Sequence, residues 1–533
     1  MCGIYACFHH GSQPDEYKYQ KISPRGPDET NILDEAEYKL VFYRLAIMGV
    51  KSGSQPFQLD KVQLICNGEI YNYRELERKY NFNNKTGSDC EVILHMYYLF
   101  GIERTLNEIR GEFAFILVDN NIKVVHFARD PIGVKPLYIN SLVDKKTGHH
   151  EMMELSSLIK GFSNELGKCE HVLPGYLYTY DINKHILSHQ KYIELKYMPN
   201  PFITKNHIYE KLERAVLKRI IQSERPLGFF LSGGIDSCTI LSIAMKSGLL
   251  QEAPHVFTFG FDKNAHDVKM AKIMVDWLKN KYGEKCLKWH LVIEPVENGL
   301  AILPEVINML ETYDTTTIRA STPMYMLSKY IRDNTNVKVL LSGEGSDELF
   351  GGYLYNLYAP NEHAFRSEII SSLNNLYIYD VLRADHSTAE CGLEVRPPFL
   401  DIDLINTVLS CDLLRMSKTT TKKLLRDTIN IFNILPEEIL NSRKEAFSDA
   451  VGLNWLDEVK KYSYNQMIKY NDVTNDESPH IKPKGVTEWY FQKLFSESFT
   501  NKWHLLPSIW LPNQLWVNTD GESSARVLPA YNL

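Results

Sequence analysis

The sequence predicts two domains: an antiparallel, sheet-dominated α+β domain, then an α/β domain on a parallel sheet. Three observations carry this reading. At 533 residues the chain is too long for one hydrophobic core. Up to Ile193 its apolar residues come in short β-type runs cut by Gly, Asn, Asp and Pro. Further on, short apolar runs lead into amphipathic helical segments, the signature of βαβ units.

The elements follow in order. In the first domain, taken as 2–193, the strand-like runs are YKLVFYRLAI, VQLICNG, GEFAFILVD, NIKVVHFARD and GYLYTYD. Between them SDCEVILHMYYLFG reads as a helix packed on the sheet, because Val92, Ile93, Met96 and Tyr97 fall at helical spacing. The stretch YMPNPFITK holds two prolines, which disfavour regular structure, and marks a linker, taken as 194–203. In the second domain, 204–533, PLGFFLS precedes GGIDSCTILSIAMKSG, HVFTFGF precedes DVKMAKIMVDWLKN, and VKVLLS precedes GEGSDELFGGY. From YNDVTNDESPHIKPKG onward the chain reads as a polar, irregular loop followed by a short terminal segment.

Charge and composition narrow the function. The net charge of −7 argues against a general nucleic-acid or membrane-surface binder, whose affinity rests on basic patches. No apolar run is long enough to span a bilayer, so a soluble protein is expected. The opening MCGIYACFHH has neither the basic start nor the long apolar stretch of a secretion signal. Nine cysteines, an odd number at irregular spacing, read as reduced thiols and predict a cytoplasmic location. The pairs His9-His10 and His149-His150 read as solvated loop residues rather than metal ligands, because neighbours on a strand point to opposite faces.

Two glycine-rich loops carry chemistry. In FFLSGGIDS, Leu231, Ser232, Gly233 and Gly234 form a turn between a strand and a helix opening at Asp236 and Ser237. Glycines let a backbone approach a phosphate closely, and a helix N-terminus offers free N–H groups and partial positive charge. The lysine of a Walker A loop is missing. Asp236 would repel a polyphosphate unless a magnesium ion sat between them. A plain helix cap behind a glycine turn remains the bland alternative for this loop taken alone. The second loop, LLSGEGSDELFGGY, again ends a strand in Ser342-Gly343 and adds Glu344 and Asp347. In a parallel sheet both loops leave the same carboxyl edge, where ligands bind, so Asp236 and Asp347 could share the magnesium–pyrophosphate.

SGGIDS resembles the pyrophosphate loop of N-type ATP pyrophosphatases. Together with ETYDTTTIRASTPMYMLS, SGEGSDELFGGY, ECGLEVRPPFLD and RKEAFSDAVG, in that order, the second domain is similar to glutamine-hydrolysing asparagine synthetases. Its tail, PSIWLPNQLWVNTDGESSARVLPAY, resembles the eukaryotic type. The resemblance implies attack of aspartate's β-carboxylate on the α-phosphorus of ATP, giving β-aspartyl-AMP and pyrophosphate, after which ammonia displaces AMP. It implies that Leu231, Phe259, Ser342 and Gly343 line the nucleotide site, with Phe259 standing where the family usually has valine or isoleucine. It implies Glu344 as a base for ammonia attack, and Thr316, Arg319 and Lys444 as holders of phosphate or adenylate. Cationic side chains suit charge that spreads over phosphate oxygens.

An amide synthetase needs ammonia, and the first domain answers that need. MCGI, RGPD, RLAI, NGEIYN, TGSDCEVI and RDPIGVKPLY resemble, in order, the class II glutamine amidotransferases, N-terminal nucleophile domains of αββα layering. Removal of Met1 would leave Cys2 with a thiol and a free α-amine, which titrate near ~8.5 and ~8 in model peptides, close enough to exchange a proton at neutral pH. The resemblance implies Cys2 as nucleophile, with the Asn67 side-chain amide and the Gly68 N–H stabilising the oxyanion. It implies Arg44 on the α-carboxylate of glutamine, Leu45, Ala46, Ile47 and Met48 shaping that wall, and Glu69 and Asp89 on the α-ammonium. Taken alone, Asn67-Gly68 is also a turn signal and Arg44 a strand-surface charge. The family also implies a homodimer.

This chain departs from the family pattern at Pro24, where histidine is common, and in LSSLIKG, which lacks the usual acidic residue. Rival readings are a β-lactam-forming or peptide-cyclising relative, a glutamine phosphoribosyltransferase, and a pseudoenzyme. The first would tend to lose Cys2 or the TYDTTTIRASTP block, the second has no pyrophosphatase loop, and the third predicts erosion at Cys2, Asp236, Glu344 or Asp347. All of these features are intact.

Overall fold

The computed structural model describes residues 1–9, 14–163, 167–442, 451–452, 454–470, 481–519 and 528. They divide into two compact units. One comprises Met1–Glu194 with Gln222–Arg225 and Ala389–Glu394, and the other comprises Leu195–Ile221, Pro226–Thr388 and Val395–Leu533.

The first unit holds two six-stranded sheets. One runs Lys168–His171, Tyr138–Val143, His150–Ser156, Gly3–His9, Tyr38–Arg44, Glu29–Asp34, and every pairing in it is antiparallel. The other runs Ile186–Lys191, Tyr176–Asp181, Val124–Arg129, Gly111–Asp119, Val62–Ile70, Phe57–Leu59, also antiparallel. Alternation along the strands builds the core. Ile4, Ala6 and Phe8 pack with Leu40 and Phe42 from one sheet, against Ile65, Ala114, Ile116 and Val118 from the other. The intervening Tyr5, Cys7, Val41 and Tyr43 turn outward and are buried under Tyr19, Ile22 and Leu158. The strands are thus covered on both faces, which explains their near-continuous apolar character. The helix Glu91–Phe100 buries Val92, Ile93 and Met96 as its spacing requires.

The second unit carries a five-stranded sheet in the order Lys288–Ile293, His255–Gly260, Leu227–Phe230, Val339–Leu341, Glu394–Arg396. The pairings of Leu227–Phe230 with both of its neighbours are parallel. Helix Ile235–Ser247 follows strand Leu227–Phe230 and helix His266–Tyr282 follows strand His255–Gly260, the first and second strands of this sheet in chain order, as the βαβ reading requires. No helix among the described residues is long and apolar enough to cross a membrane.

Two expectations are corrected. The polar tail contains a 13-residue helix, Val486–Ser498, that buries Trp489, Tyr490, Phe491, Leu494 and Phe495. Its apolar residues recur at helical spacing and pack on the helix Leu303–Leu310, which outweighs the polar flanks. The second histidine of His149-His150 is no solvated loop residue: it opens strand His150–Ser156 and meets the Tyr180 ring edge-on at 6.2 Å. Burial lowers its pKa, so the ring favours the neutral form. His9 closes strand Gly3–His9, and His10 lies outside the described residues.

Candidate active sites

The first site forms where strand Gly3–His9 begins. Cys2, directly ahead of it, packs against the inter-sheet core and is partly exposed. Its Sγ accepts from Leu45 N at 3.5 Å and donates to Leu45 O at 3.8 Å. Burial pushes the thiol pKa up to about 11, so it keeps its proton until a base removes it. The Met1 amine is buried and donates to Leu393 O at 3.5 Å. Burial lowers its pKa to about 5, leaving a neutral amine at pH 7.

The other residues expected here gather on adjoining elements. Arg44 ends strand Tyr38–Arg44, and its guanidinium donates to Gly49 O at 2.7 Å and to Glu29 at 3.2 Å. Leu45, Ala46, Ile47 and Met48 form the buried loop that follows. Asn67, Gly68 and Glu69 lie in strand Val62–Ile70, opposite Ala114, Phe113 and Glu112. Asn67 is fully buried, yet neither Oδ1 nor Nδ2 of its amide has a hydrogen-bond partner. Such an amide is a donor held ready for a ligand. Gly68 has φ +154°, and a Cβ there would sit 2.2 Å from Glu112 O, so only glycine fits. Asp89 sits just before helix Glu91–Phe100, and its carboxylate accepts from Ile70 N at 2.5 Å, which ties it to the strand of Asn67.

Three positioning residues escaped the sequence reading. Arg25 Nε donates to Cys2 O at 3.1 Å, and Asp28 accepts from Ala46 N at 2.8 Å, so RGPD holds both Cys2 and the loop facing it. Asp130 accepts from the backbone N–H groups of Phe113, Ile132, Gly133, Val134 and Lys135, which fixes the RDPIGVK turn. The motifs were visible beforehand, but their internal bonds depend on the fold.

The second site is a cavity within the second unit. Leu231, Ser232, Gly233, Gly234, Asp236, Ser237, Phe259, Thr316, Arg319, Ser342, Gly343, Glu344 and Asp347 all line it. Lys444 lies outside the described residues. Close packing builds the loop: Gly233 has φ +81°, and a Cβ there would stand 2.4 Å from Ala271 N. A Cβ on Gly343 would lie 2.8 Å from Asp236 Cβ, so that glycine lets the two loops touch. Asp236 also accepts from Ser346 Oγ at 2.6 Å. Thr316 and Arg319 come from helix Thr315–Asn334, whose N-cap Asp314 accepts from Thr317 N at 2.7 Å. Phe259 is buried, its ring perpendicular to Phe261 at 5.2 Å.

The two aspartates do share a cation, and it is Lys422, absent from the sequence reading. Its ammonium lies 2.5 Å from Asp236 and 2.9 Å from Asp347. A lysine in TTTKKLLRDT looks like an ordinary surface charge. The readable signal was the glycine pair of ELFGGY, because a Cβ on Gly352 would overlap Lys422 Cε at 2.2 Å. Arg383 was missed too; it donates to Glu344 at 2.8 Å and Asp380 at 2.7 Å. Beside them, Glu348 accepts from the Tyr353 hydroxyl. Burial, then the Asp380 and Asp347 charges, push the Glu348 pKa up to about 8.

Asp236 and Asp347 line the same cavity and are both paired with the Lys422 ammonium. Magnesium is commonly held by one or two carboxylates plus substrate phosphates, and this site offers that number. No cluster of three or more metal-ligating side chains occurs among the described residues.

Fold and sites together define a two-part class, a glutamine amidotransferase domain joined to an amide-synthesising domain with a nucleotide-type cavity. Residues 1–203 match the family model described as glutamine amidotransferase domain, and 207–363 and 357–517 match that described as asparagine synthase. The chain is 34% identical over 569 residues to a probable asparagine synthetase [glutamine-hydrolyzing] of Acanthamoeba polyphaga mimivirus, covering 99% of this chain and 100% of that protein. It is 34% identical to the asparagine synthetase [glutamine-hydrolyzing] of Mus musculus, covering 100% of this chain and 99% of the relative. Identity is also 34% to asparagine synthetase [glutamine-hydrolyzing] 1 of Arabidopsis thaliana, over 94% of this chain and 87% of that one. The chain belongs to the family of glutamine-hydrolysing asparagine synthetases.

Proposed function

We propose that this protein converts ATP, L-aspartate, L-glutamine and water into AMP, diphosphate, L-asparagine and L-glutamate. The observation that carries the reading is the single cavity onto which both glycine-rich acidic loops converge, with Asp236 and Asp347 sharing one cation. Residues 2–193 hydrolyse glutamine, 194–203 link, and 204–533 make the amide.

In the first site, Met1 is removed and Cys2 bears the α-amine. The Cys2 α-amine, in its unprotonated form, takes the thiol proton, Sγ attacks the side-chain amide carbon of glutamine, and the Asn67 amide with the Gly68 N–H receives the oxyanion. Asn67 suits that role because its amide has no other partner. The amine then protonates departing ammonia and activates the water that cleaves the thioester. Arg44 binds the α-carboxylate of glutamine beside Leu45 to Met48, and Glu69 and Asp89 its α-ammonium.

In the second site, the Leu231–Ser237 loop and Ser342-Gly343 hold the nucleotide, with Phe259 against it. Thr316, Arg319 and Lys444 hold phosphate or adenylate, and Lys422 joins them. Asp236 and Asp347 are the carboxylates that would hold Mg2+, and the ion would supply charge neutralisation for pyrophosphate. Glu344 takes a proton from ammonia as it attacks the aspartyl carbonyl, with the Arg383 guanidinium fixing its carboxylate. All nine cysteines are free, which supports the reducing cytoplasm as its location, and the family resemblance supports a homodimer.

The test is a product assay with aspartate, ATP and magnesium, with glutamine or ammonia as nitrogen donor. Cys2→Ala is expected to lose glutamine-driven asparagine formation and keep the ammonia-driven reaction. Loss of both, or of neither, overturns the division of work.

A further inference from the structure

We propose that Arg383 is the residue that selects the acid to be amidated, by binding the α-carboxylate of L-aspartate. This rests on the aspartate-activating reading above. Arg383 sits on helix Asp380–Ala389, is 5% exposed, and lines the nucleotide cavity. Its Nη2 is used, donating to Glu344 and Asp380. Its Nε and Nη1 are buried and have no hydrogen-bond partner.

A buried guanidinium with idle donors is a site lacking its acceptor. Two adjacent carboxylates, desolvation notwithstanding, keep it charged, so the missing acceptor is best an anion. The chemistry of the cavity separates the candidates. Phosphates belong beside the ammonium of Lys422 and the glycine loops. Arg383 instead grips Glu344, the group placed at the reacting carbonyl. Aspartate's two carboxyl carbons are about 4 Å apart when extended, so an α-carboxylate on Arg383 leaves the β-carboxyl close to Glu344. The α-ammonium then has Asp380 and Glu348, carboxyl groups lining the same cavity, as partners.

The experiment measures pyrophosphate release by the full chain with ATP, magnesium and ammonia. L-Aspartate is compared with its α-amide, L-isoasparagine, which keeps the β-carboxylate and α-ammonium but lacks the α-carboxylate. Wild type should prefer aspartate by about 100-fold or more in kcat/KM. Arg383→Ala should raise the aspartate KM about 100-fold, shift the ATP KM by less than about threefold, and bring the preference toward one. Arg383→Lys, with one charge and no planar fork, should fall between. A wild type that uses the α-amide as well as aspartate, or an Arg383→Ala that keeps the full preference, overturns the proposal. Should the alanine variant not fold, the wild-type preference and the lysine variant decide the matter. If wild type released no pyrophosphate with aspartate at all, the asparagine-synthesis reading itself would fail.

Discussion

Asn67 offers a perturbation in which activity and stability should move in opposite directions. Its side chain is fully buried, with Oδ1 and Nδ2 both without a hydrogen-bond partner. Each such atom carries a desolvation penalty of about 1–3 kcal/mol that no bond offsets. Asn67→Leu replaces the amide by an apolar group of similar size, so a net gain of about 1–2 kcal/mol is expected. For a domain of this size that corresponds to roughly 2–8 °C in Tm. The same change removes an oxyanion donor, which typically costs about 10²–10³ in kcat, or ~2.7–4 kcal/mol. The backbone N–H of Gly68 remains, so some glutaminase activity survives. Three measurements follow: glutamine hydrolysis, ammonia-driven asparagine formation, and thermal unfolding. The expected result is a large loss in the first, no change in the second and a higher Tm in the third. Glutamine hydrolysis within about threefold of wild type would refute the oxyanion role, since that is under 1 kcal/mol of transition-state stabilisation. Lower stability would refute the idea that the amide is held at a cost.

Two further outcomes are expected. Lys422→Met removes the ammonium between Asp236 and Asp347, leaving two facing carboxylates; ATP-dependent pyrophosphate release should fall at least about tenfold and Tm by several degrees, while glutamine hydrolysis is unchanged. Glu91 governs an acid limb: burial opposes its charged form, but bonds from His95, Lys85 N and Thr86 outweigh burial and lower its pKa from 4.5 to about 2. A folded value below the unfolded one gives stability that is present above pH 4.5 and lost as pH falls toward 2. Glu91→Gln should therefore lower stability at pH 7 by on the order of 2 kcal/mol and converge with wild type near pH 2, by denaturant unfolding across that range. A constant offset across the whole range would sink the assignment.

Much of this protein was legible in one dimension. Short apolar runs such as GEFAFILVD coincide with strand Gly111–Asp119, because a strand covered on both faces is apolar at nearly every position. The glycine-rich loops were legible for a similar reason. Gly68, Gly233 and Gly343 sit where any Cβ would overlap backbone or a facing loop, so local chemistry marks the close approach. The helix Val486–Ser498 was not recognised, because its polar flanks dominate composition while its stability comes from a face buried elsewhere in the unit.

The sequence by itself determined two domains, their sheet types and the acidic loops, all properties of residues near one another along the chain. Only the tertiary structure decided which charges meet. Lys422 reaches Asp236 across 186 positions, and Arg383 reaches Glu344 across 39. A lysine or arginine looks the same in sequence whether solvated or buried, and its role is fixed by which carboxylates the folded chain brings within about 3 Å, where burial makes the pairing count.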